Sequence, residues 1–265
     1  MSAIVQNFDG VSDRPLYDWV KTFSPPSENL RWVHTTDAFA IRDILLRRTL
    51  LPQKCPVFEI PLTYMFYGRP AYRFNNRDAM LSSFHAPAVI VFKDSVLNHA
   101  HKLFPFDTGA FSAGRYKKWM HERMQLDSFE YPLGDHGQGR HVSAFYGRNE
   151  SYWDGNGRDL GAIAGEFEVE AIGSMITDTT TDDTADDRRL AIELIIHEAI
   201  PMTAEYVEAI YLPTSLVDAP YVQKFLQDTG LKANLYKASG NKPAIEYQAL
   251  LESELEQFHK FVGAL

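Results

Sequence analysis

The sequence predicts an α+β protein. Five to seven segments have the short, β-branched or aromatic composition of strands, and amphipathic helical segments separate them at irregular intervals. A doubly wound parallel sheet would show a regular alternation of strands and helices, which this chain lacks. With 265 residues, of which 45% are hydrophobic, the chain is long enough to bury a sizeable core.

Residues 1–29 are expected to be peripheral, and the first core elements follow them. These are a strand at LRWVH (30–34), a helix over AFAIRDILLRR (38–48) and a short strand at TLLP (49–52). Thr35 and Thr36 stand just before the helix, where a threonine hydroxyl can accept a hydrogen bond from a free backbone N–H. One of these two threonines is therefore the expected N-cap.

The later elements follow a segment without clear periodicity, residues 52–87. Strands are predicted at AVIVF (88–92), at EFEVEAI (166–172), within RRLAIELIIHEAIP (188–201), at VEAIYLP (207–213) and at KANLYKAS (232–239). Helices are predicted over SLVDAPYVQKFLQDTG, ending at Gly230, and at the C-terminus, where Leu251, Leu255, Phe258 and Val262 mark one face.

Charge and composition exclude several classes of function. The net charge of −9 disfavours tight, sequence-independent binding to a nucleic-acid backbone. The single cysteine, Cys55, excludes an intrachain disulfide and a cysteine-rich zinc site, and His136 and His141 lack a third ligand at a matching spacing, so no metal is expected. Because the chain shows neither a secretory leader nor a run of about 18 apolar residues, a cytoplasmic protein without membrane contact is expected.

Glu193 is the most unusual residue of the sequence, since it lies at the centre of an apolar run from Leu190 to Ile196. A carboxylate removed from water without a partner costs several kcal/mol, so such residues are rare unless they are paired or functional. Two interpretations are open. Glu193 forms a buried ion pair with Arg188, Arg189 or Arg73, or it takes part in catalysis.

The segment LTYMFYGRPAYR (62–73) combines aromatic rings with guanidinium groups around a glycine and a proline. Stacking surfaces and planar donor forks are suited to binding a nucleotide. The alternative is an aromatic loop packed on the core with solvated arginines. The alternative for His34 is a structural histidine at the end of a strand, with its hydrogen bonds satisfied. Asp107, in FPFDTGAFSAGRY, is explained by local turn chemistry without catalysis.

These segments together resemble the ADP-ribosyltransferase superfamily. They are most similar to the DarT-type toxins that modify DNA, with a fainter similarity to RNA 2′-phosphotransferases. The resemblance rests on VHTTDAFAIRDILLRRTLLP, on YMFYGRPAYR and on RRLAIELIIHEAIPMTAEYVEAIYLP, in that order. It covers residues 30–213 in islands, and residues 93–160 form an insert that departs from the compact family pattern.

The resemblance implies a single domain over residues 1–265, with a split, mixed or antiparallel sheet as its core at 30–213, peripheral helices, and a C-terminal helical part at 214–265. It also implies roles for individual residues toward NAD as substrate. His34 would bind the adenosine ribose with help from Thr35, Tyr64 or Tyr67 would stack on nicotinamide, Arg69 or Arg73 would hold the pyrophosphate, and Glu193 would be the catalytic carboxylate.

The implied function is a mono-ADP-ribosyltransferase acting on a macromolecular acceptor, protein or nucleic acid, as a bacterial toxin or defence effector with a neutralising partner. The loop that selects the acceptor in this superfamily corresponds to residues 177–189, where five aspartates favour a basic or neutral target. The alternatives are an NAD glycohydrolase and a non-catalytic module that senses NAD or a nucleotide. An RNA-directed phosphotransferase ranks lower, because that chemistry depends on several arginines rather than on a glutamate in a strand.

Overall fold

The computed structural model describes residues 14–55, 57–71, 80, 82–161, 165–180, 187–239 and 242–265. Within these residues the helices and strands, in chain order, are α1 Pro15–Val20, β1 Trp32–Asp37, α2 Ala38–Arg47, β2 Thr49–Leu50, β3 Gln53–Lys54, β4 Pro61–Tyr67, β5 Pro87–Phe92, β6 Ala100–Phe104, α3 Thr108–Ser112, α4 Gly137–Phe145, α5 Asn149–Trp153, α6 Phe167–Thr177, β7 Glu193–Ile196, β8 Ile200–Pro201, β9 Val207–Pro213, α7 Pro220–Thr229, β10 Ala233–Tyr236 and α8 Glu246–Phe261.

The main sheet has mixed polarity and the strand order β10-β9-β5-β1-β4-β7-β6, with β3 paired to β4. The pair β9–β10 is parallel, whereas β1 pairs antiparallel with β4 and β5, and β5 antiparallel with β9. All six residues of β5 are buried, which is why this strand reads as a continuous apolar run. The prediction of an α+β protein is confirmed.

The chain divides into two compact units. The helical unit consists of Lys102–Glu193 and the described residues up to Asn29; the sheet unit consists of Leu30–His101 and Leu194–Leu265. The chain leaves the sheet unit within β6 and returns to it within β7, directly after Glu193. Most of the insert expected at residues 93–160 lies in the helical unit, and the single domain over residues 1–265 stays a prediction.

The first strand is longer than predicted. β1 runs through both threonines to Asp37 and pairs with β5 along its whole length, from Trp32 opposite Phe92 to Asp37 opposite Pro87. Asp37 is therefore the N-cap of α2, and its Oδ1 accepts a hydrogen bond of 2.8 Å from the N–H of Ala40. The prediction that Thr35 or Thr36 caps this helix was wrong, because pairing with β5 and the strand preference of β-branched residues extend β1 through both.

The segment EFEVEAI is helical, so the strand predicted at residues 166–172 was wrong. It forms the beginning of α6, whose buried residues are Val169, Ala171, Ile172, Met175 and Ile176. Seven residues of apparent alternation are too short to distinguish a strand from a helix. Extended through Ile176, the apolar residues recur at helical spacing and define one buried face.

The other predicted elements of the sheet unit are confirmed with shifts of a few residues. Strands β9 and β10 lie within the predicted segments, and β5 begins one residue before its predicted segment, at Pro87. Helix α7 ends at Thr229 and is followed by Gly230, which has the left-handed conformation typical of a helix C-terminus. The buried face of α8 differs from the predicted one. It consists of Tyr247, Leu251, Leu255 and His259, whereas Phe258 and Val262 are half-exposed.

The helical unit has an aromatic core. The ring centre of Phe106 lies 5.2 to 5.6 Å from those of Phe111, Tyr116 and Phe129, and the ring centres of Phe111 and Phe129 are 6.0 Å apart. His141 is fully enclosed, with its Nδ1 at 2.7 Å from the hydroxyl of Tyr131, and burial lowers its pKa to about 3. His141 is thus a neutral core residue.

Replacing Asp37 by alanine tests the cap of α2. We expect Asp37→Ala to lower the free energy of unfolding by about 1 kcal/mol, because the N–H of Ala40 loses its acceptor, whereas Asp37→Asn keeps an acceptor and should change it by a few tenths. Urea denaturation of both variants and the wild type measures the difference. Equal stability of the alanine and asparagine variants would contradict this assignment.

Candidate functional site

Glu193 is the first residue of β7 and is 1% exposed. The strand begins later than predicted, because Asp187–Leu190 form a 3₁₀ turn. Its neighbours in the chain, Ile192 and Leu194, are fully buried. The carboxyl group is therefore surrounded by protein, and its hydrogen bonds must come from the protein or a ligand.

Thr108 supplies hydrogen bonds to this carboxyl group. The Thr108 hydroxyl donates to Oε1 of Glu193 at 2.6 Å, and the Thr108 backbone N–H donates to the same oxygen at 3.3 Å. Thr108 is itself fully buried and is the first residue of α3. At this position of a helix the backbone N–H has no intrahelical acceptor, so it is free to bind the carboxyl oxygen.

Asp107 holds Thr108 in place as the N-cap of α3. Its Oδ1 accepts a hydrogen bond from the N–H of Ala110 at 3.1 Å, and its Oδ2 forms an ion pair with Nη1 of Arg188 at 3.0 Å. Both side chains of the pair are largely shielded from water. Sequence reasoning explained Asp107 by turn chemistry, which is correct for the cap, but it missed the ion pair and did not single out Thr108.

The two arginines that precede β7 have different partners. Arg188 pairs with Asp107, whereas Arg189 donates to the carbonyl oxygens of Met175 and Asp178, at 3.3 and 2.7 Å. The guanidinium of Arg189 also lies 5.6 Å from the centre of the Trp119 ring. A direct ion pair of Glu193 with Arg189 is therefore not formed, and Arg73, the third predicted partner, lies outside the described residues.

The electrostatic environment keeps the pKa of Glu193 well above that of an ordinary glutamate. Burial is the largest cause, and the negative charge of Asp107 adds to it. The hydrogen bonds from Thr108 and the positive charge of Arg188 act in the opposite direction. A buried carboxyl group with a perturbed pKa and specific charged neighbours is a typical feature of functional sites.

In the sheet unit, His34 is half-buried on β1, and its Nδ1 lies 2.9 Å from the carbonyl oxygen of Tyr64. Because a carbonyl oxygen only accepts, Nδ1 carries the hydrogen. Burial lowers the pKa of His34, partly opposed by this hydrogen bond, so the ring is neutral at neutral pH. Nε2 is then a hydrogen-bond acceptor with a fixed orientation.

The alternation of side chains along a strand separates the residues predicted to bind NAD. Trp32 is opposite Tyr67, and their rings are 5.1 Å apart. Counting by twos from this pair places His34 on the same face as Tyr67, and Thr35 and Tyr64 on the other face. The structure therefore does not place Thr35 or the Tyr64 ring beside His34.

The two tyrosines have structural partners of their own. Tyr67 is fully buried, and its hydroxyl accepts a hydrogen bond of 3.0 Å from the N–H of Leu30. Tyr64 is half-buried, and its hydroxyl lies 2.7 Å from Sγ of Cys55. Thr35 is buried, and among the described residues its Oγ1 has no hydrogen-bond partner.

Arg69 follows a tightly constrained turn after β4. Gly68 has a φ of +74°, and a Cβ at this position would lie 2.8 Å from Cδ1 of Leu30, so only glycine fits. The N–H of Gly68 donates to the carbonyl of Arg31 at 2.8 Å, and its carbonyl lies 3.2 Å from Nε2 of the buried His259. The backbone of Gly68, directly before the half-buried Arg69, is thus held through both its N–H and its carbonyl group.

A comparison of the chain with models of protein families, with curated proteins and with solved structures finds no match. Among the described helices none is long and apolar enough to cross a membrane. Within the same described part of the chain, no group of three or more His, Cys, Asp and Glu side chains could hold a metal ion.

The raised pKa of Glu193 predicts how stability depends on pH. Below the ordinary carboxyl pKa, Glu193 is neutral in both the folded and the unfolded state. As the pH rises through its folded-state pKa, the wild type loses stability, because ionisation is less favourable in the folded protein. Glu193→Gln retains an acceptor for Thr108 and cannot ionise.

We therefore expect the free energy of unfolding of Glu193→Gln, relative to the wild type, to increase between pH 5 and pH 8, by up to about 1.4 kcal/mol for each unit by which the pKa is raised. Urea denaturation at both pH values measures this. A difference between the two proteins that does not change with pH would show that Glu193 ionises as an ordinary glutamate.

Proposed function

We propose that the protein is an NAD-dependent mono-ADP-ribosyltransferase with Glu193 as its catalytic carboxylate. The observation that carries this proposal is a glutamate that is 1% exposed and held at Oε1 by the Thr108 hydroxyl. The mixed sheet of the α+β fold is compatible with the split sheet of the ADP-ribosyltransferase superfamily, which we propose as the fold family.

The reaction explains why a carboxylate would be buried at such a position. Cleavage of the glycosidic bond between ribose and nicotinamide develops positive charge on the ribose ring. A preorganised negative charge stabilises that state, and it is most effective where water is excluded and the group cannot move away. Both Thr108 contacts are at Oε1, so the proposal assigns Oε2 to the ribose 2′-hydroxyl.

Binding of NAD is proposed for His34 and Arg69. The neutral His34 presents Nε2 as an acceptor for a ribose hydroxyl, because Nδ1 is engaged by the Tyr64 carbonyl. The guanidinium of Arg69 is suited to the pyrophosphate. Tyr64 orients His34 through its carbonyl, and a stacking role for the Tyr64 ring rests on the family resemblance alone.

The acceptor is proposed to be a basic or neutral macromolecule, because the segment 177–189 contains five aspartates. Asp178, at its beginning, accepts a hydrogen bond of 2.9 Å from Nε1 of Trp119 and pairs with Lys118, and residues 181–186 lie outside the described residues. The proposed setting is the cytoplasm, where a toxin or defence effector of this kind would require a neutralising partner.

A second candidate is a module that binds NAD without cleaving it. The observation that favours it is the raised pKa of Glu193, because a neutral carboxyl group supplies no charge to the transition state. The two candidates differ in their dependence on pH. A transferase gains activity as Glu193 ionises, whereas a binding module releases no nicotinamide at any pH.

The decisive experiment follows nicotinamide release from NAD by the wild type and by Glu193→Gln between pH 5 and pH 9. We expect a drop of about 100-fold to 1,000-fold in kcat for the variant, the cost of removing a preorganised electrostatic group. In the wild type, kcat should increase with pH as Glu193 ionises, with its midpoint at the raised pKa of Glu193.

The outcomes separate the candidates. Equal release from both proteins would mean that Glu193 is not catalytic. Binding of NAD without release from either protein would favour the binding module. Release without transfer of label to any component of a cell lysate would identify an NAD glycohydrolase.

Binding is tested separately by titration calorimetry with NAD. We expect His34→Ala to raise the Kd about tenfold, because the ribose hydroxyl loses one acceptor. Tyr67→Phe removes only a core hydroxyl that binds the N–H of Leu30, so it should lower stability and leave the Kd unchanged. A large loss of affinity in Tyr67→Phe, with none in His34→Ala, would reverse the assignment of these two residues.

A further inference from the structure

We propose that Thr108 is a positioning residue for Glu193, and that the sequence Asp107-Thr108-Gly109 is the device that fixes it. The inference deepens the proposed function of Glu193 and rests on it for its catalytic consequence. The contact itself is a property of the helical unit, to which all four residues belong.

Thr108 contacts Glu193 directly. Thr108 gives two hydrogen bonds to one oxygen of Glu193, from its hydroxyl at 2.6 Å and from its N–H at 3.3 Å. Two donors on one residue define the direction of the carboxyl group as well as its distance. Since both residues are buried, the O–H donor is shielded from competition with water.

Thr108 is held in place by the side-chain contacts of the preceding residue, Asp107. Asp107 binds the N–H of Ala110 through Oδ1 and the guanidinium of Arg188 through Oδ2. A Cβ at residue 109 would lie 3.0 Å from Oδ1 of Asp107, which is a tight contact, so glycine allows the cap to close. In Asp107-Thr108-Gly109, the aspartate thus caps the helix, the threonine binds Glu193 and the glycine leaves room for the cap.

An ion pair connects the segment before Glu193 with the segment before Thr108. Arg188 belongs to the 3₁₀ turn that leads into β7, and Asp107 precedes α3. Their ion pair ties the approach to Glu193 to the helix that carries Thr108. Arg188 and Asp107 are also the charged groups that act on Glu193, with opposite effects on its ionisation.

The test uses Thr108→Val, which removes the hydroxyl at nearly constant shape, and Thr108→Ser, which keeps it. The first readout does not need NAD. In protein labelled with ¹³C at the glutamate carboxyl carbons, the titration of Glu193, assigned with Glu193→Gln, gives its ionisation midpoint. We expect Thr108→Val to raise the midpoint by about one pH unit, a tenfold higher proton affinity, and Thr108→Ser to stay within a few tenths of the wild type.

The second readout is nicotinamide release. Thr108→Val should lower kcat about 10-fold to 100-fold with KM unchanged, and Thr108→Ser should restore it to within about threefold. An unshifted midpoint and an unchanged kcat in Thr108→Val would overturn the proposal, as would an equal loss of kcat in both variants or a change confined to KM. If the wild type releases no nicotinamide, the proposed function fails, and the titration alone decides whether Thr108 positions Glu193.

Discussion

The part of the helical unit that surrounds Glu193 depends on one constraint, the burial of the Glu193 carboxyl group. A carboxyl group without water needs donors at fixed positions, and here they come from Thr108. Thr108 can act only if the first turn of α3 is closed, which Asp107 achieves, and Asp107 is in turn neutralised by Arg188. The aromatic cluster around Phe106 and Phe111 anchors α3 on both sides of this turn. A single buried group thus accounts for the conformation of a segment far away in the chain.

The charged residues near Glu193 act on its pKa in opposite directions: Asp107 raises it and Arg188 lowers it. A direct guanidinium partner for Glu193 would favour the ionised form and make the carboxyl an ordinary buried ion pair. Among the described residues, Arg188 forms an ion pair with Asp107, and the negative charge of Asp107 opposes the ionisation of Glu193. Ionisation of Glu193 therefore costs more free energy in the folded protein than in the unfolded chain, and it lowers the stability of the fold as the pH rises.

Some residues of this site could be predicted from the sequence and others could not, for physical reasons. Glu193 could be found because a charged residue inside an apolar run is visible in any window of the sequence. Thr108 could not, because its contact with Glu193 spans 85 positions and Asp-Thr-Gly looks like any turn. The strand β5 was predicted well, because a short apolar run rich in β-branched residues is typical of a strand buried on both faces. The failures, at α6 and at the cap of α2, occurred where a short pattern fits two structures and tertiary pairing selects one.

Strand geometry also restricts what family resemblance can assign. His34 and Thr35 are adjacent on β1, and Tyr64 and Tyr67 are three apart on β4, so each pair is divided between the two faces of the sheet. A ligand on one face can contact only one member of each pair through its side chain. The Tyr67 hydroxyl is engaged by the backbone of Leu30 in the core, while the Tyr64 carbonyl orients His34. The backbone before Arg69 is held by the carbonyl of Arg31 and by the His259 side chain, which both bind Gly68. The orientation of the His34 ring therefore follows from the pairing of β1 with β4, because the Tyr64 carbonyl on β4 holds Nδ1 of His34.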